Sequence, residues 1–237
     1  MQLKPFQRLA PYYHAEWTAF ARHCIEVMDR AGMLHDPSGR IAIDLACGTG
    51  VLASALSTRG FSVVGLDISE EMIRIARAEC PTGRFVVGDM REMDLSLAAD
   101  LVTCTFDSLN YLKSVAEVGK VFRNVRGCLK PEGQWFFDAN TPRLLEEKQH
   151  GTIHRKIAGY EFEQELFYDA ERKVSRTVFR FEDGAYEEHE QRPYTREEIE
   201  AELAASGLRL KRCFDDSQDG LPGPGSYRIY YLAGVAG

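Results

Sequence analysis

Five short apolar runs punctuate the middle of the chain: RIAIDLA (40–46), FSVVGLD (61–67), RFVVGD (84–89), DLVTCTFD (100–107) and GQWFFDAN (133–140). They are continuously apolar rather than alternating, as strands of a parallel sheet covered on both faces are. Helical patterns lie between them. VLASALSTRG (51–60) stops at Gly60, and SEEMIRIARAEC (69–80) opens with Ser69 as a candidate N-cap and two acids in its first turn. Val115, Val118, Phe122, Val125 and Leu129 keep helical spacing. Strand, helix, strand, repeated, describes a doubly wound α/β sheet.

The flanks read differently. Trp17, Phe20, Ala21, Cys24, Val27, Met28 and Ala31 form one apolar stripe, which predicts a single helix over 12–32 ending at Gly32. Between 141 and 193 the pattern changes to polar–apolar alternation, with hairpin turns at YDAERK (168–173) and EDG (182–184). This predicts a small antiparallel sheet inserted after the fifth strand. Thr195 and Glu198 then form a capping box for a helix carrying Ile199 and Leu203 and stopping at Gly207. GLRLKRCF (207–214) and SYRIYYLAGV (226–235) are the two final strands. The Gly/Pro-rich loop 215–225 between them is too long for a two-residue hairpin. The expected division is a core of residues 1–141 and 194–237, with a β-sheet lid over 142–193.

The 237 residues carry 29 basic and 36 acidic side chains, a net charge of −7. This argues against a polyanion binder, whose affinity would rest on clustered Lys and Arg. No apolar run approaches the ~20 residues of a membrane helix, and MQLKPFQRLAPYYHAEW has no secretory core. None of the six cysteines forms a CxxC pair, so free thiols in a reducing cytoplasm are expected rather than disulfides or structural zinc.

The chemistry concentrates in IAIDLACGTGVLASAL (41–56). A strand ends at Asp44, a small-residue turn follows through Ala46, Cys47, Gly48 and Gly50, and a helix begins. Such a turn brings backbone N–H groups close to a ligand. Taken alone, Gly48-x-Gly50-x-x-Ala53 also fits a dinucleotide fingerprint, and two nucleotide cofactors remain open. Asp67 ends the next strand, where a carboxylate accepts from ribose hydroxyls. Gly88, Asp89 and Met90 end the third strand: Asp89 can accept from an exocyclic amine, and Met90 can pack on an adenine face. FDSLNY (106–111) ends the fourth.

In this order the motifs resemble the class I S-adenosylmethionine-dependent methyltransferases. DLACGTG (44–50) is similar to their first motif, Asp67 to their ribose-binding acid, Gly88-Asp89-Met90 to their adenine site, and LKPEGQWFFD (129–138) to their later turn and strand. The resemblance implies a Rossmann-like seven-stranded sheet whose last strand is antiparallel. It also implies S-adenosyl-L-methionine as donor, S-adenosyl-L-homocysteine as product, and transfer to N or O of an acceptor. The insert and RPYTREEIEAELAASGL (192–208) resemble the bacterial small-molecule branch with a β-sheet lid, which includes sugar and glycine-type N-methyltransferases. The cofactor-binding set implied is Tyr13, Asp44, Ala46, Cys47, Gly48, Gly50, Asp67, Ile68, Met72, Gly88, Asp89, Met90, Phe106, Asp107 and Tyr111.

Methyl transfer from a sulfonium is an in-line displacement, so the protein mainly positions the partners and excludes water. A general base is needed only if the acceptor arrives protonated. Tyr13, His14, Asp107 and Tyr194 are the candidate catalytic residues, and His189 is a further candidate base. His189, among the acids of YEEHEQ (186–191), is expected on a solvated face. Two alternatives stay open: a metal-dependent O-methyltransferase using Asp107, Asp138 and Asn140, and a nicotinamide-dependent oxidoreductase. The leading expectation includes no metal, no nucleic acid and no membrane, and leaves the oligomeric state unassigned.

Overall fold

The computed structural model describes residues 1–94, 97–148, 150–157, 159–215 and 221–236. The chain opens with β1 (Gln2–Leu3), α1 (Ala10–Glu16) and α2 (Thr18–Arg30). The alternating block follows: β2 (Ile41–Leu45), α3 (Val51–Thr58), β3 (Ser62–Asp67), α4 (Glu70–Glu79), β4 (Arg84–Val87), β5 (Ala99–Cys104), a 3-10 turn (Ser108–Tyr111), α5 (Val115–Cys128) and β6 (Leu129–Asn140). Next come α6 (Pro142–Lys148), β7 (Gly151–Ile157), β8 (Tyr160–Asp169), β9 (Val174–Phe181) and β10 (Tyr186–Gln191). The chain closes with α7 (Arg196–Ala205), β11 (Leu208–Asp215) and β12 (Arg228–Val235).

The described strands form two sheets. The larger has seven strands in the order β11-β12-β6-β5-β2-β3-β4. Strands β2 to β6 pair parallel, while β12 runs antiparallel to both β6 and β11, as the resemblance implied. The connections reverse direction at β2, which lies between β3 and β5. In an open α/β sheet the crevice at such a point, beyond the strands' carboxyl ends, is where ligands bind.

The alternation of side chains along β6 builds both layers of core at once. Trp135 and Phe137 face α5, where Trp135 meets Phe122 edge-on at 4.5 Å; Phe136 faces the opposite layer and stacks with Tyr230 at 6.0 Å. Helix starts follow local chemistry. The side chains of Ser69 and Ser114 accept the backbone N–H groups of Met72 and Glu117, and Thr195 with Glu198 forms the expected reciprocal capping box.

Three sequence expectations need correction. The helix over 12–32 is two helices, broken at Trp17 (φ −99°, ψ 10°). The break serves two different cores: Tyr12 on α1 packs against Phe162 and Phe181 of the second sheet, whereas Cys24, Ile25, Val27 and Met28 on α2 pack on the first. Secondly, 142–193 is not wholly antiparallel sheet. It begins with α6, steadied by an Arg143–Glu147 pair one turn apart. Thirdly, the second sheet has five strands, in the order β1-β10-β9-β8-β7, because Gln2 and Leu3 pair parallel with Tyr186 and Glu187. The amino terminus is thus an edge of the sheet assigned to 142–193 rather than part of the core. Two residues are too few for alternation to announce them. Of the loop 215–225, residues 216–220 lie outside the described residues. No helix among the described residues is long and apolar enough to cross a membrane.

Candidate active site

A cavity of about 880 Å³ opens between the carboxyl edge of the large sheet and the second sheet. Its floor begins at the glycine turn. Ala46, Gly48 and Gly50 all adopt positive φ (51°, 53° and 79°), which folds the chain sharply between β2 and α3. A Cβ on Gly50 would lie 2.9 Å from the Ala76 backbone of α4, so close helix packing requires glycine there. Gly48 lines the cavity, while its N–H donates to Asp67 Oδ2 at 2.9 Å; the N–H of Ser69 donates to Oδ1 at 2.8 Å. Asp67 therefore ties the end of β3 to the turn after β2 and faces the same space. Burial raises its carboxyl above the ordinary aspartate range, and the backbone donors only partly offset this.

Of the residues singled out from sequence, Tyr13, Ala46, Gly48, Asp67, Ile68, Met72, Gly88, Asp89, Met90, Phe106, Asp107 and Tyr111 all line this cavity. Ile68 is 67% exposed although apolar, which suits a side chain that a flat ligand would cover. Asp44 and Cys47 instead border a neighbouring cavity of about 30 Å³ that shares Tyr13, Trp17, Ala46 and Phe106 with the large one. Asp44 Oδ1 accepts from Thr103 at 2.7 Å, but Oδ2 is buried without a partner, and burial pushes the carboxyl up to about 7. Gly50 packs behind the turn. Asp89 is not free to meet a ligand unaided. Arg91 clamps it through Nε and Nη2 while reaching Glu117 with Nη1 at 2.7 Å, and this holds the Asp89 carboxyl below its usual range.

Two candidates lie off the cavity wall. Tyr194, just before the capping box of α7, is buried in the main core and donates to Leu112 O at 2.6 Å. His14, next to Tyr13 on α1, lies 3.8 Å from Glu79.

Phe106 and Asp107 follow β5 with φ of 61° and 51°, both left-handed although neither is glycine. Asp138 at the end of β6 holds them there by accepting both their N–H groups, at 2.6 and 2.9 Å. Arg228 from β12 donates to Asp138 and, at 2.8 Å, to Asp107, while Gln191 donates to the other Asp107 oxygen. Its guanidinium lies 4.5 Å over the Phe20 ring. This cluster speaks against the metal-dependent alternative: an arginine already occupies the space between the two carboxylates it would use, so the donor set does not fit a divalent cation. Sequence spacing showed Asp107 and Asp138 on neighbouring strand ends; Arg228, far along the chain, carried no signal.

His189 also departs from expectation. It is 3% exposed and lines the cavity, held between Tyr111 and Glu187 rather than on a solvated face. The periodicity of β10 points its odd positions inward, and the surrounding acids obscured this in the sequence.

A family model described as a methyltransferase domain matches residues 42–133. YqeM of Bacillus subtilis (strain 168), which is named as a methyltransferase, is 34% identical over 82% of this chain and 83% of its own. An S-adenosylmethionine-dependent methyltransferase from Clostridium acetobutylicum has the same fold, with a TM-score of 0.80 and 25% identity over 98% of this chain and 99% of that one. The chain belongs to the class I S-adenosylmethionine-dependent methyltransferases. That settles the choice between the two nucleotide readings of the glycine turn, and the oxidoreductase alternative falls. Further relatives of this methyltransferase include a dTDP-3-amino-3,6-dideoxy-glucopyranose N,N-dimethyltransferase of Streptomyces fradiae, 28% identical over 78% of this chain and 77% of its own. The methyltransferase has S-adenosyl-L-methionine as its methyl donor. The site suits such a donor: the large cavity offers the buried Asp67 carboxylate, which a diol would meet, and the small neighbouring cavity offers an orphaned buried oxygen on Asp44 that an ammonium would satisfy.

Proposed function

We propose that the enzyme methylates an amine nitrogen of a small-molecule acceptor, with the donor lying along the carboxyl edge from Gly48 to Met90. Bound S-adenosylmethionine supplies an electrophilic methyl group on a sulfonium. In this reading Asp67 takes the ribose hydroxyls, and Ile68, Met72, Gly88 and Met90 enclose the adenine, with Asp89 at its rim. The turn through Ala46, Cys47, Gly48 and Gly50 carries the donor's amino-acid end, and Asp44 answers its ammonium.

The observation that carries the amine reading is a ring cluster lining the cavity. Phe6 meets Tyr13 and Tyr111 at centroid distances of 5.8 Å each, and Tyr13 meets Phe106 at 5.4 Å. Aromatic faces favour a sulfonium and an alkylammonium alike. The cavity lies toward the upper end of the range for small-molecule sites, with room beside a donor for a second small molecule. Relatives named as dTDP-amino-sugar N,N-dimethyltransferases support nitrogen as the target. A cytoplasmic enzyme with no nucleic-acid or membrane substrate accords with the acidic balance.

The test is a panel of primary amines, including dTDP-3-amino-3,6-dideoxyglucose, beside catechols and simple alcohols, with S-adenosylhomocysteine release as readout. Release with amines is expected. Release confined to the hydroxyl compounds would overturn the reading.

A further inference from the structure

We propose that Glu187, His189 and Tyr111 form a proton relay that takes a proton from the acceptor, with Tyr111 as the group that touches it. The proposal rests on the amine reading above, since an alkylammonium must lose a proton before its nitrogen has a lone pair to donate.

The geometry fixes the direction of the relay. Glu187 is wholly buried on β10, and both its oxygens already accept backbone N–H groups from the segment before α1: Phe6 at 2.7 Å on Oε2, and Arg8 at 2.5 Å and Leu9 at 2.9 Å on Oε1. Toward His189 Nε2, 3.2 Å away, it offers a lone pair, so Nε2 carries the proton. In the neutral ring Nδ1 is then an acceptor. It faces Tyr111 Oη at 3.0 Å, so the phenol donates to it, leaving the oxygen's lone pairs for a donor in the cavity that Tyr111 lines. Rings wall the imidazole on two sides, Phe6 at 4.6 Å and Phe179 at 5.0 Å, both edge-on.

The step balances. A proton leaves the acceptor nitrogen for Tyr111 Oη as the phenol's own proton passes to His189 Nδ1. The N–H bonding pair stays on nitrogen as the attacking lone pair, and the imidazolium is countered by Glu187. Tyr111 ends as it began, in keeping with a phenol that burial holds protonated. Thr177 and Phe179 face His189 from β9, Phe6 from the amino-terminal segment and Tyr111 from the 3-10 turn; Glu187 is the facing carboxylate. Asp107, the next acid along the edge, is taken up by Arg228 and Gln191.

Nitrogen NMR of the full-length enzyme labelled at histidine, with His189→Gln assigning the signal, tests the arrangement without turnover. The relay requires the Nε2–H tautomer above the imidazole's titration, with a Nδ1 shift that moves in Tyr111→Phe. A Nδ1–H tautomer, or a Nδ1 shift indifferent to Tyr111→Phe, overturns it. With the amine panel, wild-type kcat/KM should fall on the acid side at the midpoint the NMR measures. His189→Gln should lose that limb and about 100-fold in kcat, at unchanged affinity for S-adenosylhomocysteine. Glu187→Gln should move the limb. An unchanged pH profile in His189→Gln contradicts the relay. Absence of amine turnover in the wild type, beside the expected tautomer, would instead overturn the amine reading.

Discussion

Asp67 Oδ2 accepts the backbone N–H of Gly48 at 2.9 Å, across 19 residues of sequence. One carboxylate thus braces the glycine turn and faces the space where a ribose would lie. Asp67→Ala should weaken S-adenosylhomocysteine binding by about 1–3 kcal/mol through lost hydrogen bonds, measured by calorimetric titration. Because burial raises this carboxyl, affinity should also fall on acidification at a higher pH than an ordinary aspartate would give.

Asp44 titrates near neutrality, at about 7, because burial outweighs the single hydroxyl of Thr103. A raised carboxyl stabilises the folded enzyme while protonated, and that contribution is lost as pH rises through 7. Between pH 5 and 8 the free enzyme should lose about 2–3 kcal/mol relative to Asp44→Asn, read by denaturant unfolding. If Asp44 answers the donor's ammonium, binding near pH 6.5 should release a proton, seen as a buffer-dependent heat that Asp44→Asn abolishes.

Arg228 forms ion pairs with both the buried Asp138 and the part-buried Asp107. Arg228→Met leaves the buried Asp138 and the part-buried Asp107 without their cation, and should cost about 3–5 kcal/mol in unfolding free energy. A loss below about 1 kcal/mol would show that the pair is solvated.

All six cysteines are buried and unbridged. A thiol reagent such as DTNB should find almost none in the native enzyme and all six after unfolding. Rapid native labelling of Cys47 would mean that the glycine turn opens, since burial keeps that thiol protonated.

The parallel core was legible because fully covered strands leave continuous apolar runs and their helices leave caps such as Ser69 and Thr195. The same local logic placed Asp67 and Met90 on the cavity. It failed where tertiary packing decides. Trp17 breaks a continuous apolar stripe because its two halves serve different sheets, and Gln2–Leu3 is too short to show a pattern. His189 sits among acids that look solvated, and only the fold brings Glu187 against the backbone of residues 6–9. Arg228 joins Asp107 across 121 positions, a distance over which spacing carries no information.

The most direct test of the central claim is a crystal structure of the enzyme with S-adenosylhomocysteine. The account predicts ribose hydroxyls on Asp67, the adenine between Ile68 and Met90, and the sulfur beside Tyr13 and Phe106. A nucleoside bound away from the carboxyl ends of β2 and β3, with Asp67 making no contact to it, would contradict the account.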